Sequence, residues 1–341
     1  MRLWAALLAL YLIWGSTYLA IAVAVQSIPP FLMAAIRFAI AGLIVVTWTA
    51  LRNGGRPPRI TRIEIRDSAM VGGALLGGGM GLVAVGVQTV ASGIAALLIA
   101  LMPAWLAVLG WLFLRDRLPR LVVVGIALGL VGVAILVAPA DGGTIDLFGI
   151  AALILSPIFW AAGSLYAARR ATLPANGLFG SGIQMLAGAT ILGGVGIAAG
   201  ELGRLDLHGI TSNSLLALTY LVLVGSLVGF IAYGYLLRTA PLPLVSTYAY
   251  VNPVVAVILG VLLLAEPVGP RLLIGSVVIV VAVALIVTAR SRTGRPVSAP
   301  AVADPLPAVP DPISLARTPV PATARIAADG PRGTPVRNRP G

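Results

Sequence analysis

Residues 241–268 read PLPLVSTYAYVNPVVAVILGVLLLAEPV, an apolar run with a proline in its middle and a carboxylate at its end. A weaker copy lies 150 positions earlier, ASGIAALLIALMPAWLAVLGWLFLRDRL at 91–118. Pro103 falls on Pro253, Gly110 on Gly260, and Leu109, Leu112 and Leu114 on Leu259, Leu262 and Leu264. The closing acids, Asp116 and Glu266, are also in register. Apolar helices share leucines by chance, so the identities alone carry little. A mid-span proline at a fixed distance from a terminal carboxylate carries more. A second match places IWGSTY at 13–18 over FWAAGS at 159–164 and pairs Trp14 with Trp160. The chain reads as two related halves, which fixes how everything else is counted.

Composition sets the class. Apolar residues make up 59% of the chain and charged residues 10%, and the mean hydropathy is +1.03. A bilayer's hydrocarbon is about 30 Å thick and takes roughly 20 apolar helical residues to cross. Apolar runs of that length, free of charge but for Arg37 in the second and Arg271 at the edge of the last, occur at 3–25, 31–51, 69–88, 93–114, 121–138, 147–167, 178–200, 214–236, 244–264 and 271–289. They are apolar throughout and lack period-2 alternation, which predicts helices rather than a barrel. The expected fold is an all-α polytopic membrane protein with ten transmembrane helices. Five spans per half is an odd number, so the two repeats are expected to be inverted. They occupy 1–138 and 147–289, joined by an external linker at 139–146 that holds Asp141 and Asp146 and no base.

The net charge of +12 could suggest nucleic acid, but the placement of the charges argues against it. All 23 basic residues are arginine. With the N-terminus inside, the inner segments hold fifteen of them and the outer loops only Arg204 and Arg271. That is the positive-inside pattern and predicts two cytoplasmic termini in a cell (plasma or inner) membrane. The partners expected are a small-molecule substrate and the lipid bilayer, with no nucleic acid and with a homodimer left open. From 290 onward the chain turns to Pro, Ala and Arg without aromatic residues, the composition of a disordered cytoplasmic tail over 290–341.

Within the spans the polar residues are few. The first could pass for a signal peptide with Ala20-Ile21-Ala22 as its cleavage site, but cleavage would discard Trp14, whose repeat partner is kept. Trp14 shares a helical face with Tyr11 and Tyr18, beside Gly15, Ser16 and Thr17. Such a face lines a cavity or glues two helices together. Arg37 is the only base well inside a span. A charge at depth costs about 2.5–3.5 kcal/mol on insertion scales, so it either faces a cavity or snorkels to the headgroups. Its repeat mate is the uncharged Gln184. The third span spaces Gly73, Gly77 and Gly81 four apart, a pattern for close helix approach. In the sixth span Ser156, Trp160 and Ser164 share a face, and the eighth carries Tyr233 and Tyr235 beside Gly225 and Gly229. In the ninth, Tyr248 and Asn252 sit one turn apart before Pro253. Asn252 either satisfies the carbonyl that the proline frees or faces a polar solute. Pro103 and Pro253 are expected to kink their helices, and equivalent breaks in two halves are a sequence pointer to a transporter's binding region.

WGSTYLAI in the first span, PPFLMAAIRFAIAG entering the second, the fourth-span pattern ending RDRL, and YVNPVVAVILGVLLLAEP in the ninth resemble the drug/metabolite transporter superfamily. The similarity is greatest to its EamA-type exporters, YedA-like members especially. It covers about 1–289 and omits the tail. It implies ten helices with inward termini, a central cavity between the halves, and export of metabolites, amino-acid-like compounds or drugs. The chain departs from that pattern at 115–118, where Arg115-Asp116 stands in place of a Gly-Glu pair.

The expected function is therefore a secondary transporter working by alternating access. The candidate substrate-binding residues are Trp14, Ser16, Arg37, Trp160, Ser164, Tyr233, Tyr248 and Asn252. No catalytic residue, metal site or cofactor is expected. An enzyme would need a catalytic constellation, yet no span holds His, Asp, Glu or Cys. The acids Glu64, Asp67, Asp116, Asp141, Asp146, Glu201, Asp206 and Glu266 all read as loop or span-end residues. An ATP-driven pump would need a GxxxxGK[ST] loop, and the chain has no lysine. A channel or a non-transporting sensor on the same scaffold is the alternative.

Overall fold

The computed structural model describes residues 2–138 and 146–292. The linker residues 139–145 and the tail from 293 lie outside the described residues. The described residues are helical, without strands.

Ten helical spans follow in order. α1 is Arg2–Ala24 and α2 is Pro30–Arg52. α3 runs over Arg62–Gly86 and contains a π-helical segment, Gly73–Met80. α4, Ser92–Leu114, is interrupted at Ala100 and Leu101. α5 is Arg120–Val137, α6 Leu147–Arg169 and α7 Gly177–Ala198. α8 runs from Ser212 to Thr239 through a second π segment, Leu221–Val228. α9 is Tyr248–Leu264, preceded by a short turn of helix at Leu242–Val245. α10 is Pro270–Arg292. Among the described residues nine helices are long and apolar enough to cross a membrane, and α9 is the shorter tenth. The outer faces carry exposed apolar side chains such as Leu43, Phe113, Leu130 and Leu262, a surface that water would not tolerate at this density.

The most extensive helix contacts are α2 with α7, α3 with α6, α5 with α10, α1 with α8 and α3 with α7, followed by α1 with α9, α4 with α6, α4 with α9, and α2 with α8. Advancing each helix by five maps this set onto itself: α1–α8 becomes α6–α3, α1–α9 becomes α6–α4, and α2–α7, α5–α10 and α4–α9 map to themselves. The fold therefore has the two-repeat symmetry expected of five-helix halves. Fine detail repeats too. α4 and α9 both end on a left-handed non-glycine residue, Arg115 at φ 54° and Ala265 at φ 51°. The next residue's N–H, of Asp116 or Glu266, returns to the carbonyl of Gly110 or Gly260 at 3.1 Å in both.

Three carboxylates that read as loop charges are structural. Glu201 is buried and accepts from the N–H groups of Phe31 (3.2 Å) and Leu32 (2.9 Å), capping α2 where Pro30 begins it. Glu266 caps α4 through Ser92 N (2.7 Å), Ser92 Oγ (2.7 Å) and Gly93 N (3.2 Å). Asp67 is buried inside α3 and accepts from Thr172 N (2.7 Å), Tyr166 Oη (2.9 Å) and Arg66. α3 begins well before 69 because Thr61 and Glu64 form a capping box there. At the outer linker Asp146 caps α6 at Phe148 N, and a hydrogen bond from the Thr89 side chain, with that cap, holds its carboxyl below the usual range.

The glycine pattern of α3 works differently from its sequence reading. Gly73 and Gly77 face the side chain of Ile191, and Gly81 faces that of Leu192. The backbone-to-backbone approach falls instead on Gly72, where any Cβ would overlap the peptide of Gln184 in α7.

Pro253 lies inside a continuous α9, and the interruption before it is at Ser246 and Thr247. Pro103 sits in the first turn of the second part of α4, Met102–Leu114, just past the break at Ala100–Leu101. The two breaks are thus one turn out of register. Pro103, second in its segment, costs little, because the first four N–H groups of a helix lack intrahelical partners anyway, whereas Pro253, sixth in α9, withdraws the donor from the Ala249 carbonyl.

Candidate functional site

A cavity of about 130 Å³ lies where the two halves meet, with walls from α1, α2, α3, α4, α6, α8 and α9. Its lining obeys the repeat. Ile99, Met102 and Pro103 from α4 face the same space as their mates Ala249, Asn252 and Pro253 from α9. Trp14 and its mate Trp160 both reach it. Because proline donates no hydrogen bond, the carbonyls four residues before Pro103 and Pro253, those of Ile99 and Ala249, lose their helical donors at this cavity.

Among the described residues Arg37 is the one charged residue in the lining. It is only 4% exposed, so it does not snorkel to a surface. Its Nε donates to Ser226 Oγ at 3.1 Å in the π segment of α8, and its guanidinium carbon sits 4.9 Å above the Phe38 ring. No carboxylate pairs with it among the described residues; Arg66 pairs with Asp67 and Arg169 with Asp116. Gly225 keeps the guanidinium uncrowded: a Cβ there would lie 3.4 Å from Nη2. The arrangement fixes one end of the side chain on a neutral hydroxyl and leaves the other facing the cavity. Ser156, on the opposite wall, donates to Gly79 O (2.8 Å) in the π segment of α3. Each π segment therefore meets a polar side chain from the other half.

Aromatic rings form much of the remaining wall. Trp14 stands 5.2 Å from both Tyr233 and Tyr248 and 6.2 Å from Phe230 by ring centroids. Tyr233 packs behind this layer, fully buried, with an Oη that has no hydrogen-bond partner. Asn252 Oδ1 is likewise buried without a partner, and no bond from its side chain reaches the carbonyl freed by Pro253.

Of the residues singled out in the sequence, Trp14, Arg37, Trp160, Tyr248 and Asn252 come together around the cavity, with both prolines. Three do not. Ser16 turns to Tyr220 Oη (2.6 Å) and the Ile13 carbonyl, joining α1 to α8. Ser164 is buried with an unpartnered Oγ away from the lining. Tyr233 touches the cavity only through Trp14 and Tyr248. Lining residues outside that set include Thr17, Tyr18, Phe38, Met80 and Ser156. Tyr18 and Ser156 had been placed on the right faces, and Met80 carries no sequence signal. His208 lies in a loop, where its N–H binds Asp206 Oδ1 at 3.0 Å.

Ten apolar helices in two symmetric sets, enclosing a mixed aromatic and cationic cavity at their junction, define a polytopic membrane protein of two repeats. The EamA-like transporter family model matches the chain twice, over residues 3–138 and 147–288, and the chain belongs to that family. It is 39% identical over 308 residues to the uncharacterized inner membrane transporter YedA of Escherichia coli K12, covering 89% of this chain and 96% of that one. An uncharacterized transporter of Bacillus subtilis, YvbV, is 26% identical over 82% of this chain and 89% of its own. The chloroplastic WAT1-related protein At3g02690 of Arabidopsis thaliana is 25% identical over 83% and 69%. One solved crystal structure, 22% identical, spans 85% of this chain and 97% of its own with a TM-score of 0.57, a likeness in fold. The protein is a multi-pass membrane transporter.

Proposed function

We propose that this transporter exports small organic anions, amino-acid-like carboxylates among them, by alternating access around the cavity at the repeat junction. The observation that carries the reading is Arg37: a buried arginine in the cavity wall, held by one neutral hydroxyl and by no carboxylate among the described residues. Arginine offers a planar fork that matches a carboxylate. Trp14, Trp160 and Tyr248 would hold an apolar or aromatic body, and Asn252 Oδ1 would accept from a polar group on it. The arginine distribution supports cytoplasmic termini and a cell or inner membrane location. The name of the Escherichia coli relative agrees with that location.

The test is an untargeted comparison of the medium around cells that produce wild-type protein, Arg37→Lys or Arg37→Gln at equal membrane levels. Wild type should enrich carboxylates. Arg37→Lys should keep part of that enrichment and Arg37→Gln none. Enrichment dominated by neutral compounds, or unchanged in Arg37→Gln, would sink the proposal.

A further inference from the structure

We infer that the carrier is an anion exchanger: a small inorganic anion such as chloride holds Arg37 when no organic substrate does, and the binding site cannot cross empty. The inference rests on the reading of Arg37 as the substrate anchor and concerns what happens between substrates. Arginine keeps its charge in a protein, so deprotonation offers no way out. A charge inside a membrane protein normally has a partner or a water-filled surrounding. Arg37 has only the neutral Ser226 hydroxyl and the Phe38 ring, and is 4% exposed. Among the described residues no acidic side chain lines the cavity from any of its seven helices. The nearby acids are committed elsewhere, Glu201 to the start of α2, Glu266 to the start of α4 and Asp67 to Thr172 and Tyr166.

While the cavity is open to one side, water can screen the guanidinium. Alternating access requires an intermediate in which the cavity is closed to both sides. In that state water is scarce, and an unpaired buried charge is strongly destabilising. An anion on the fork removes that penalty; an empty site retains it. Return of the empty carrier is then the slow step, and an anion on the far side accelerates it. Export of one organic anion becomes coupled to entry of another anion. No carboxylate proton is needed for this, which fits a cavity without Asp or Glu.

Two measurements on purified full-length protein test this. In detergent, the thermal midpoint of wild type should rise with potassium chloride relative to potassium sulfate at matched ionic strength, and that of Arg37→Gln should not. In proteoliposomes loaded with ³⁶Cl⁻ and clamped with potassium and valinomycin, efflux into chloride medium should exceed efflux into potassium dextran sulfate at least tenfold. The polymer is too large for the cavity, and the clamp removes any electrical brake on net chloride movement. Arg37→Lys keeps the charge and should keep this dependence, which preserves the test should Arg37→Gln fail to fold. Equal efflux into both media, with Arg37-dependent chloride binding intact, would overturn exchange and leave the anion site standing. A folded wild type that neither binds nor moves chloride would overturn the inference, while enrichment of carboxylates in the medium would still decide the substrate reading.

Discussion

Replacing Glu266 with glutamine separates two roles that a span-end carboxylate can have. The structure makes it a cap. Oε1 accepts from Ser92 N and Ser92 Oγ at 2.7 Å each, and Oε2 accepts from Gly93 N at 3.2 Å. Glutamine can keep the Oε1 contacts as neutral bonds, but its amide nitrogen then points at the Gly93 N–H, donor against donor. A hydrogen bond to a charged group is worth about 1.5–3 kcal/mol, and an anion at a helix N-terminus contributes about 0.3–1 kcal/mol. The site is half-buried, which favours the lower ends, so Glu266→Gln should cost about 2 kcal/mol. For a chain of this size that lowers the thermal midpoint by a few degrees. Gly260→Ala should act alike without touching any charge, because its Cβ would overlap Oε2. The assays are thermal unfolding in detergent and flux in proteoliposomes with and without an imposed pH gradient. Both variants should lose stability, with flux per folded molecule and its pH response unchanged. A Glu266→Gln protein as stable as wild type, but blind to the pH gradient, would refute the cap argument and make Glu266 a proton carrier.

Asn252→Leu should abolish export at near-normal membrane levels, since Oδ1 has no structural partner to lose; loss of protein on an immunoblot would contradict this. Gly229→Ala places a Cβ 2.6 Å from Trp14 Nε1, so the indole must move, and the spectrum of exported compounds should change more than protein abundance. Tyr233→Phe removes a buried hydroxyl that has no partner. It should leave stability unchanged or raise it by about 1 kcal/mol in a thermal unfolding assay; a clear fall would point to an unseen hydrogen bond. Reporter fusions after 55, 118 and 290 should read cytoplasmic and those after 142 and 206 external. A cytoplasmic signal at 142 would break the inverted arrangement.

What the sequence showed and what it hid follow from the range of each interaction. Spans were legible because apolarity over twenty residues is local. The repeat was legible because the proline and the closing acid keep their spacing. Arg37, Trp14, Trp160, Tyr248 and Asn252 stood out because large or polar groups are rare in a span. Helical period alone cannot say which neighbour a face meets, and so Ser16 and Ser164 were grouped with residues they do not join. The carboxylates were misread for a related reason. A charge marks a span's end in sequence, whereas Glu201 and Asp67 are buried against backbone N–H groups far along the chain. The π segments of α3 and α8 leave no local pattern at all.

The symmetry of the scaffold makes the asymmetry of the cavity informative. Under the repeat Asn252 answers to Met102, Ala249 to Ile99, Tyr248 to Leu98 and Arg37 to Gln184. Met102 and Ile99 line the cavity as apolar surface, while Leu98 and Gln184 stand outside the lining. In three of these pairs one copy puts a polar side chain in the lining with no polar counterpart from the other, and Met102 and Ile99 leave an apolar stretch of wall. On the proposed function, a solute in such a space would lie with its charged end on Arg37 and its apolar body toward Met102 and Ile99. Rocking of the two halves could then, on that reading, expose the same ligand to either side without turning it, because its polar contacts come from both halves: Arg37 from the first, held by Ser226 of the second, and Tyr248 and Asn252 from the second. On that reading the duplicated framework would supply the motion, and the few positions where the copies differ would set what is carried.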